Sequence, residues 1–515
     1  MTLWNPTLTS RGDMHCHYEK PSPVIARRDQ VPTWQSISLI IIPMFKRILS
    51  FYKTSQPSAV KVPAEKVDGY YRKLRIQAFV AGTLGYSLYY VCRTSLNVMK
   101  QPIIDSGFLN ATQLGLIGAC LYWAYAAGKF VNGFLADHSN IKKFMATGLI
   151  VSAVANFIMG ILGMSSGAAG IASSVMFVSF AVIWAINGWS QSMGAAPAII
   201  SLSRWFPLRI RGTFYGFFSA SHNFGEGLSF IFVSLLVSAA GWQWGFFGAA
   251  IAGVVGVVLI TLWLHDTPES KGLPSIEVLA GETSGAESQS EESAEEHDPD
   301  IDSGRIQRAV LRNPGVWILA LSSAFMYMSR YAINEWGMFF LQKVKGFGLE
   351  EAAMIVAVNT VAGILGTVSA GWISDTVFKG DRKWPALTAG ILEAIALALF
   401  LYGGDGWFVN ILAMALFGIA IGVLICFVGG LMAVDLVPRK ATGAALGIVG
   451  LASYIAAGLM NVISGWLIDG NAVKDAATGE ILQYDFTYVS IFWIGAAVIA
   501  FLLPILNWKR KKMEI

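Results

Sequence analysis

The sequence predicts an all-α membrane protein with twelve transmembrane helices, arranged as two six-helix pseudo-repeats. Three observations support this prediction: the composition, a series of apolar runs of spanning length, and two loop motifs that recur at nearly one offset. Hydrophobic residues make up 55% of the 515 residues and charged residues only 14%, whereas roughly a quarter of the residues in soluble proteins are charged. The composition therefore favours a chain that faces lipid, and the net charge of +4 is too small to indicate a nucleic-acid partner.

The apolar runs give the twelve helices, because about 20 helical residues are needed to cross the hydrocarbon of a bilayer. The runs of the first half are 77–99, 113–136, 143–164, 168–199, 213–239 and 243–264. Those of the second half are 314–341, 351–376, 385–403, 407–434, 442–468 and 486–507.

Residues 1–70 are mostly polar and are predicted to form a cytoplasmic extension that does not follow the plan of a signal peptide. Its apolar run 39–45 is too short to span a bilayer and contains Pro43. With Phe51 and Tyr52 this run could rest on the bilayer surface, and the other interpretation is a disordered extension.

Residues 266–312 are predicted to form an acidic cytoplasmic linker between an N-terminal six-helix half, 71–265, and a C-terminal six-helix half, 313–515. Acidic residues recur among Ser and Gly from Glu277 to Asp302. Such a composition cannot bury enough apolar surface to become ordered by itself.

Basic residues mark one side of the predicted bundle. They occur before the first span, in alternate loops and at the end of the chain, and the opposite loops are nearly uncharged. The positive-inside rule therefore places both termini and the linker in the cytoplasm. The basic positions are Arg72, Lys73, Arg75, Lys142, Lys143, Arg204, Arg209, Arg211, Lys379, Arg382, Lys383, Arg439, Lys440 and the run from Lys509 to Lys512.

Two loop motifs indicate that the halves are repeats. The motif Gly-x-x-x-Asp follows the second span and again the eighth, at an offset of 375 − 137 = 238 residues. A loop that begins at Pro207 is echoed by one that begins at Pro438, where 438 − 207 = 231. Two parallel six-span repeats, with a binding site at midplane between them, are the plan of the major facilitator fold. The positions expected to pack and gate these loops are Gly133, Asp137, Gly371 and Asp375.

Six ionisable residues lie inside the apolar runs, where each costs about 2.5–3.5 kcal/mol on insertion scales. Arg330 is near the middle of the seventh run, and Arg93 precedes it by 330 − 93 = 237 residues, which matches the repeat offset. Two arginines aimed at one central cavity favour a phosphate group, which accepts planar, bidentate hydrogen bonds. The alternatives are unrelated structural ion pairs and, for Arg93, a side chain that reaches the membrane interface. The other four residues are Lys129, His222, Glu226 and Glu335.

Four patches then resemble one family, the organophosphate:inorganic phosphate antiporters of the major facilitator superfamily, which includes hexose-phosphate and glycerol-phosphate transporters. The resemblance covers about residues 70–510. The patches run from Gly85 to Arg93, from Tyr125 to Asn140, from Ser221 to Gly225 and from Tyr327 to Trp336.

The resemblance implies that Arg93 and Arg330 clamp the phosphate, with Lys129 and His222 as further cationic partners. Each tyrosine could instead be ordinary packing, and Lys129 could reach the cytoplasmic surface. The remaining residues implied to line the cavity are Tyr86, Tyr90, Tyr125, Tyr327, Asn334 and Tyr454.

Glu226 departs from the family pattern, in which a glycine is expected. It follows His222 by four residues, so both side chains are expected on one helix face. The two interpretations are a local His–Glu pair and a proton-sensitive element, a role also considered for Glu335.

The expected function is secondary transport by alternating access, exchanging a sugar phosphate, hexose 6-phosphate in particular, for inorganic phosphate across a bacterial inner membrane. No enzyme activity, cofactor or metal is expected, and Cys16, Cys92, Cys120 and Cys426 lack metal-site spacing. The alternatives are a glycerol-3-phosphate antiporter, a membrane sensor of external sugar phosphate that signals through a partner protein, and a facilitator for carboxylates or drugs.

Overall fold

The computed structural model describes residues 50–165, 173–280, 303–378, 381–437 and 442–508, and these residues are mostly helical. One compact unit comprises Tyr52–Ile515, and a separate unit, Met1–Phe51, is described only at its last two residues. The apolar run 39–45 and the acidic core of the linker, 281–302, lie outside the described residues.

Every predicted span corresponds to a helix, and spans 1 to 12 below are these helices in chain order. The all-α fold is therefore confirmed. Spans 1 to 6 are Val67–Asp105, Ala111–Asp137, Ile141–Ser165, Ser173–Trp205, the pair Leu208–Ser219 and Ser221–Ala240, and Trp242–Trp263. Spans 7 to 12 are Pro314–Lys343, Leu349–Thr376, Lys383–Tyr402, Trp407–Cys426 with the π-helical turn Phe427–Leu431 and Met432–Leu436, Thr442–Gly470, and Thr487–Leu502 with the 3-10 turn Leu503–Asn507.

Ten of the spans are long and apolar enough to cross a membrane by length and composition, and spans 1 and 4 are not among these ten. These two spans carry polar side chains that are buried inside the bundle. Lys100 and Asn187 are fully buried and Arg93 is 4% exposed. Spans 1 and 4 are thus less apolar because polar groups line their inner faces.

Local sequence signals set several helix ends. Span 2 begins with a capping box, in which Asn110 Oδ1 accepts from the Gln113 amide at 2.8 Å and Gln113 Oε1 accepts from the Asn110 amide at 3.0 Å. Span 7 begins with Asn313 as N-cap and Pro314 in the first turn, where the missing N–H of proline costs nothing. Between spans 5 and 6 the chain turns at Gly241, whose φ of 95° is easily reached only by glycine.

Small residues let spans approach closely within each half. A Cβ on Gly188 of span 4 would overlap the backbone of Leu121 in span 2. The equivalent contact in the C-terminal half joins Gly418 of span 10 to the backbone of Asn359 in span 8. The offsets are 418 − 188 = 230 and 359 − 121 = 238, so the repeat seen in the loops extends to helix packing.

The two ends of the bundle differ in how the halves meet. We call them the Asp105 end, where span 1 stops, and the Val67 end, where it begins. At the Asp105 end, the carboxylate of Asp469 in span 11 accepts from the backbone amides of Ala111 at 3.2 Å and Thr112 at 2.5 Å, which begin span 2. Described hydrogen bonds and ion pairs between the halves concentrate between the bundle centre and this end.

Asp266 organises the Val67 end of the N-terminal half. Its carboxylate accepts from the amides of Ser55 at 2.7 Å and Ile141 at 3.1 Å, and it pairs with Arg204. Asp266 therefore joins the segment before span 1, the start of span 3 and the end of span 4.

The first residues of the predicted linker are ordered, which differs from the sequence prediction for 266–312. The amides of Ser58 and Val62 donate to the carbonyls of Glu269 and Gly272 at 2.9 Å each, and Leu273 is fully buried. Burial of Leu273 removes apolar surface from water and so helps to order the first residues of the linker, whereas the acidic segment has few apolar side chains to bury. The described linker helices are Glu269–Lys271, Ile276–Ala280 and Ser303–Arg312.

A short β-hairpin, which the sequence reasoning did not predict, joins spans 11 and 12. Strands Ala472–Lys474 and Ile481–Tyr484 pair antiparallel. At the turn, amide hydrogen bonds from Thr478 and Ala477 hold the pKa of Asp475 below its usual range. The hairpin lies at the Asp105 end.

Candidate functional site

Two buried arginines occupy the bundle centre, one from each half. Arg93 of span 1 is 4% exposed and Arg330 of span 7 is 5% exposed. Both spans continue beyond these positions towards the Asp105 end, so neither guanidinium lies at a helix terminus. The sequence argument singled out these two residues because a charge in a span is costly unless it is used.

Aromatic rings surround the Arg93 guanidinium. Its Cζ lies 4.4 Å from the ring centroid of Tyr125, 5.3 Å from that of Tyr122, 5.4 Å from that of Tyr90 and 5.7 Å from that of Tyr454. Such contacts stabilise a cation by about 0.5–2 kcal/mol, but they do not satisfy its N–H groups. Within the described part of the chain, Arg93 Nε and Nη2 are buried and have no hydrogen-bond partner. A buried, charged donor without an acceptor is costly, so these two donors are available to an acceptor from outside the described chain.

Arg330 has a similar aromatic setting and one acidic neighbour. Its Cζ lies 5.3 Å from the ring centroid of Tyr331 and 5.9 Å from that of Tyr327. Arg330 Nη2 lies 3.7 Å from Glu226 Oε2, within ion-pair range but too far for a hydrogen bond. The Tyr327 and Tyr454 rings are 5.5 Å apart, so the rings around the two arginines form one continuous cluster.

Glu226 heads a chain of amides that crosses between the halves. Asn334 Nδ2 donates to Glu226 Oε1 at 2.9 Å, and Asn359 Nδ2 donates to Asn334 Oδ1 at 2.8 Å. In the described residues Glu226 Oε2 has no hydrogen-bond partner. These side chains, with those of Asn223 and Thr360, line a narrow cleft beside Arg330.

The local pair between His222 and Glu226 considered from the sequence is not present in the described part of the chain. Glu226 is directed to Arg330 and Asn334 instead, because both lie across from it on span 7. The His222 ring lies 5.8 Å from the Tyr90 ring. His222 is therefore beside the Arg93 cluster and is half-buried.

Lys129 and Tyr86 lie at the margin of the site. Lys129 is exposed, and its Nζ lies 5.4 Å from the ring centroid of Tyr454, on the side of the Val67 end. The Tyr86 ring packs at 5.5 Å from Tyr90. Of the ten predicted binding residues, these two and His222 are therefore the outer ones, and five others lie close to the two arginines: Tyr90, Tyr125, Tyr327, Asn334 and Tyr454.

A second buried ion pair joins the halves between the arginines and the Asp105 end. Lys100 Nζ lies 2.7 Å from Glu335 Oε2, and both side chains are buried, at 0% and 4% exposure. Glu335 Oε1 also accepts from Asn97 Nδ2 at 3.1 Å and from Tyr122 Oη at 2.5 Å, and Lys100 Nζ donates to Asn461 Oδ1 at 3.3 Å. We call these five residues the Lys100 network.

The Lys100 network includes a contact between residues at equivalent positions of the two halves. Asn97 Nδ2 donates to the backbone carbonyl of Asn334 at 3.2 Å, and 334 − 97 = 237 is the same offset that relates Arg93 to Arg330. Equivalent asparagines therefore meet one helical turn beyond the equivalent arginines. The sequence reasoning missed Lys100 because the first apolar run was taken to end at residue 99, and the repeated asparagine was the signal that was available.

The loop motif is only partly visible. Gly133 and Asp137 end span 2, and the carbonyl of Asp137 accepts from Arg204 Nη2 at 3.4 Å. Gly371 and Asp375 lie in span 8, and the Asp375 side chain is outside the described part of the structure.

Comparison with known proteins identifies the family. The model of the Major Facilitator Superfamily matches residues 82–433. A probable hexose phosphate transport protein of Chlamydia muridarum is 33% identical over 76% of this chain and 85% of its own length. The glycerol-3-phosphate transporter of Bacillus subtilis is 30% identical over 90% of this chain and 99% of its own length. The membrane sensor protein UhpC of Salmonella typhimurium is 29% identical over 89% and 98%.

Solved structures share the fold at lower identity. A bacterial homologue of the human lysosomal transporter Spinster superposes with a TM-score of 0.62 at 17% identity, covering 86% of this chain and 99% of the other. The xylose transporter XylE of Escherichia coli gives a TM-score of 0.60 at 16% identity, covering 84% and 96%.

Proposed function

The chain belongs to the major facilitator superfamily and, within it, to the organophosphate:inorganic phosphate antiporter family, and we propose that it exchanges a sugar phosphate for inorganic phosphate by alternating access. It is an integral membrane protein and not an enzyme. The substrate that we propose is a hexose 6-phosphate, and the membrane is a bacterial inner membrane with the Val67 end towards the cytoplasm. The basic loops at the Val67 end support this orientation.

The observation that carries the proposal is that two guanidinium nitrogens of Arg93, Nε and Nη2, have no hydrogen-bond partner in the described residues, within an aromatic cluster that extends to Arg330. Two N–H donors of Arg93 have no protein acceptor in the described residues, and phosphate oxygens accept such donors in a planar, bidentate arrangement. A second arginine at the equivalent position of the other half supplies donors from the opposite side. A dianion that contacts both halves would hold them together.

The cleft beside Arg330 supports a hydroxyl-rich organic group on the substrate. Its polar walls combine one carboxylate, Glu226, with the amides of Asn223, Asn334 and Asn359. Sugar hydroxyls donate to a carboxylate and accept from amides, so one wall can serve several hydroxyls. A simple carboxylate or an apolar drug carries no hydroxyl that could donate to Glu226 Oε2, which has no hydrogen-bond partner in the described residues.

The Lys100 network acts, in this proposal, as the latch of the Asp105 end. It joins spans 1 and 2 to spans 7 and 11, and Asp469 caps the start of span 2 from the opposite half. Opening towards the outside requires that these contacts separate. We therefore assign Glu335 to the latch and not to proton sensing, since two neutral donors, Asn97 and Tyr122, and the Lys100 cation already hold its carboxylate.

Glu226 modifies the electrostatics of the empty carrier. Two bare arginines would repel each other, but the carboxylate at 3.7 Å partly compensates Arg330. An arriving phosphate competes with Glu226 for that guanidinium and releases Oε2 towards the hydroxyls of the organic group. Binding of phosphate and binding of the organic group are thereby linked through one residue.

The test is uptake of radiolabelled glucose 6-phosphate into proteoliposomes loaded with inorganic phosphate. We expect uptake that requires internal phosphate and is lost in Arg330→Lys, because lysine keeps the charge but not the fork of donors. Arg382→Lys is the matched control, since Arg382 is a partly exposed arginine that pairs with Asp435 inside the C-terminal half. Competition by unlabelled glycerol 3-phosphate that exceeds competition by glucose 6-phosphate would contradict the hexose assignment.

A sensor is the second candidate, because the chain matches UhpC over 89% of its length. A sensor binds the sugar phosphate but signals through a partner. Binding of glucose 6-phosphate by the purified protein, without exchange in the same proteoliposomes, would favour the sensor over the transporter.

A further inference from the structure

Glu393 of span 9 is a buried carboxyl that the arginine site does not use. Its side chain is fully buried, and span 9 packs against spans 10 and 12. One oxygen, Oε1, forms a short hydrogen bond with Ser329 Oγ of span 7. Within the described residues the other oxygen, Oε2, has no partner. Ser329 directly precedes Arg330.

Hydrogen counting indicates which group carries the proton in this contact. The Ser329 hydroxyl has one hydrogen, and its Oγ also lies 3.0 Å from the backbone carbonyl of Met326, with donor geometry. A carbonyl only accepts, so a hydroxyl that donates to Met326 has no hydrogen left for Glu393. The short contact then requires that the carboxyl group supplies the hydrogen.

The charges around Glu393 support the same assignment. Spans 8, 10 and 12 pack against span 9, and none of these three spans contains a Lys, Arg or His. Their ionisable side chains are Glu350, Glu351, Asp375, Cys426, Asp435 and Tyr488. On span 7, Arg330 faces tyrosine rings and Glu226. An ionised Glu393 would thus be a buried charge without a countercharge among the described residues, which costs several kcal/mol.

We propose that Glu393 is a proton-binding site, which holds a proton at neutral pH and donates it to Ser329 Oγ. The bond fixes span 7 one residue before Arg330. When Glu393 loses the proton, Ser329 must turn to donate to the carboxylate and releases the Met326 carbonyl. The phosphate affinity of Arg330 then depends on the proton at Glu393, and this last step rests on the proposed function.

Infrared spectroscopy of the purified protein tests the proton without any substrate. We expect the carbonyl stretch of a protonated carboxyl group at neutral pH, its loss at strongly alkaline pH, and its absence from Glu393→Gln. Glutamine keeps the shape and a donor for Ser329. Identical carboxyl bands in wild type and Glu393→Gln at neutral pH would overturn the proposal.

Binding of inorganic phosphate across the same pH range tests the positioning role. The phosphate affinity of the wild type should fall as the pH rises above neutral. Glu393→Gln should keep the neutral-pH affinity and lose less of it at alkaline pH. Glu393→Ala should bind phosphate weakly at every pH. The same loss of phosphate affinity at alkaline pH in wild type and Glu393→Gln would refute control of Arg330 by this proton. A wild type that binds no phosphate would count against the proposed function, and the infrared comparison would still decide the proton site.

Discussion

Removal of the cation from the Lys100 network should open the Asp105 end. The change is Lys100→Met, which keeps an unbranched side chain only one atom shorter and removes its charge. Glu335 then retains its hydrogen bonds from Asn97 and Tyr122 but loses the ion pair at 2.7 Å. The carboxylate becomes a buried charge without a cation, and the conformation that buries it loses stability.

The size of the effect follows from the burial of the pair, at 0% and 4% exposure. Loss of one partner of a buried ion pair costs about 3–5 kcal/mol. Each 1.4 kcal/mol is about a factor of ten in an equilibrium constant. If the cost falls on the closed form alone, the ratio of closed to open protein drops by a factor of about 10² to 4 × 10³, enough to reverse a modest preference.

Spin labels can measure this shift. One label at Ser106, beyond span 1, and one at Val344, beyond span 7, report the separation of the halves at the Asp105 end. We expect longer distances in Lys100→Met and a partial return in the double variant Lys100→Met/Glu335→Gln, which removes both charges. Arg382→Met, which breaks a partly exposed pair inside one half, should leave the distances unchanged. An unaltered distance distribution in Lys100→Met would refute the latch.

Three further results are expected. Arg93→Lys should weaken phosphate binding about 10- to 100-fold, because charged hydrogen bonds contribute about 1.5–3 kcal/mol. Titration calorimetry measures the phosphate affinity, and an unchanged affinity would show that Arg93 does not bind phosphate. Glu226→Gln should tighten binding of inorganic phosphate several-fold, since Arg330 loses its competing carboxylate, and weaker binding would contradict that competition. Burial, with nearby lysines, lowers the pKa of His265 to about 4, below the value of about 6.5 for an exposed histidine. Between pH values of about 6.5 and about 4, the unfolded chain therefore binds the proton and the folded chain does not, so thermal stability in detergent should decrease as the pH falls through this range. His265→Gln should show a smaller decrease.

Hydrophobic length was sufficient to predict the spans, because few arrangements other than a helix can cross a bilayer. The limits of span 1 were less accurate: the helix begins at Val67 and ends at Asp105, whereas the apolar run was 77–99. Charged residues at the start of the helix face water or lipid headgroups and stay helical. Apolarity marks the hydrocarbon, not the ends of the helix.

The arginines were predictable because a charge inside an apolar run stands out. The residues that contact the arginines were not predictable from the sequence. Glu226 lies 104 residues before Arg330 in the chain, where 330 − 226 = 104, and only the packing of span 5 on spans 7 and 8 brings them together. Asn359 is a neutral residue in an apolar run and gave no signal, although it completes the amide chain to Glu226. Contacts between the halves depend on tertiary packing that no local pattern encodes.

The contacts of Asp266 at the Val67 end have a practical consequence for protein engineering. The N-terminal residues that contribute to these contacts begin at Tyr52, whose carbonyl accepts from the Asn140 amide. They continue to Ser55, whose amide donates to Asp266. A truncation that starts at residue 50 keeps these contacts, and one that starts at residue 60 leaves the Asp266 carboxylate short of a donor. Purification tags and fusion partners are therefore best joined upstream of Tyr52, and a series of truncations across this short interval would give a sharp boundary in expression yield.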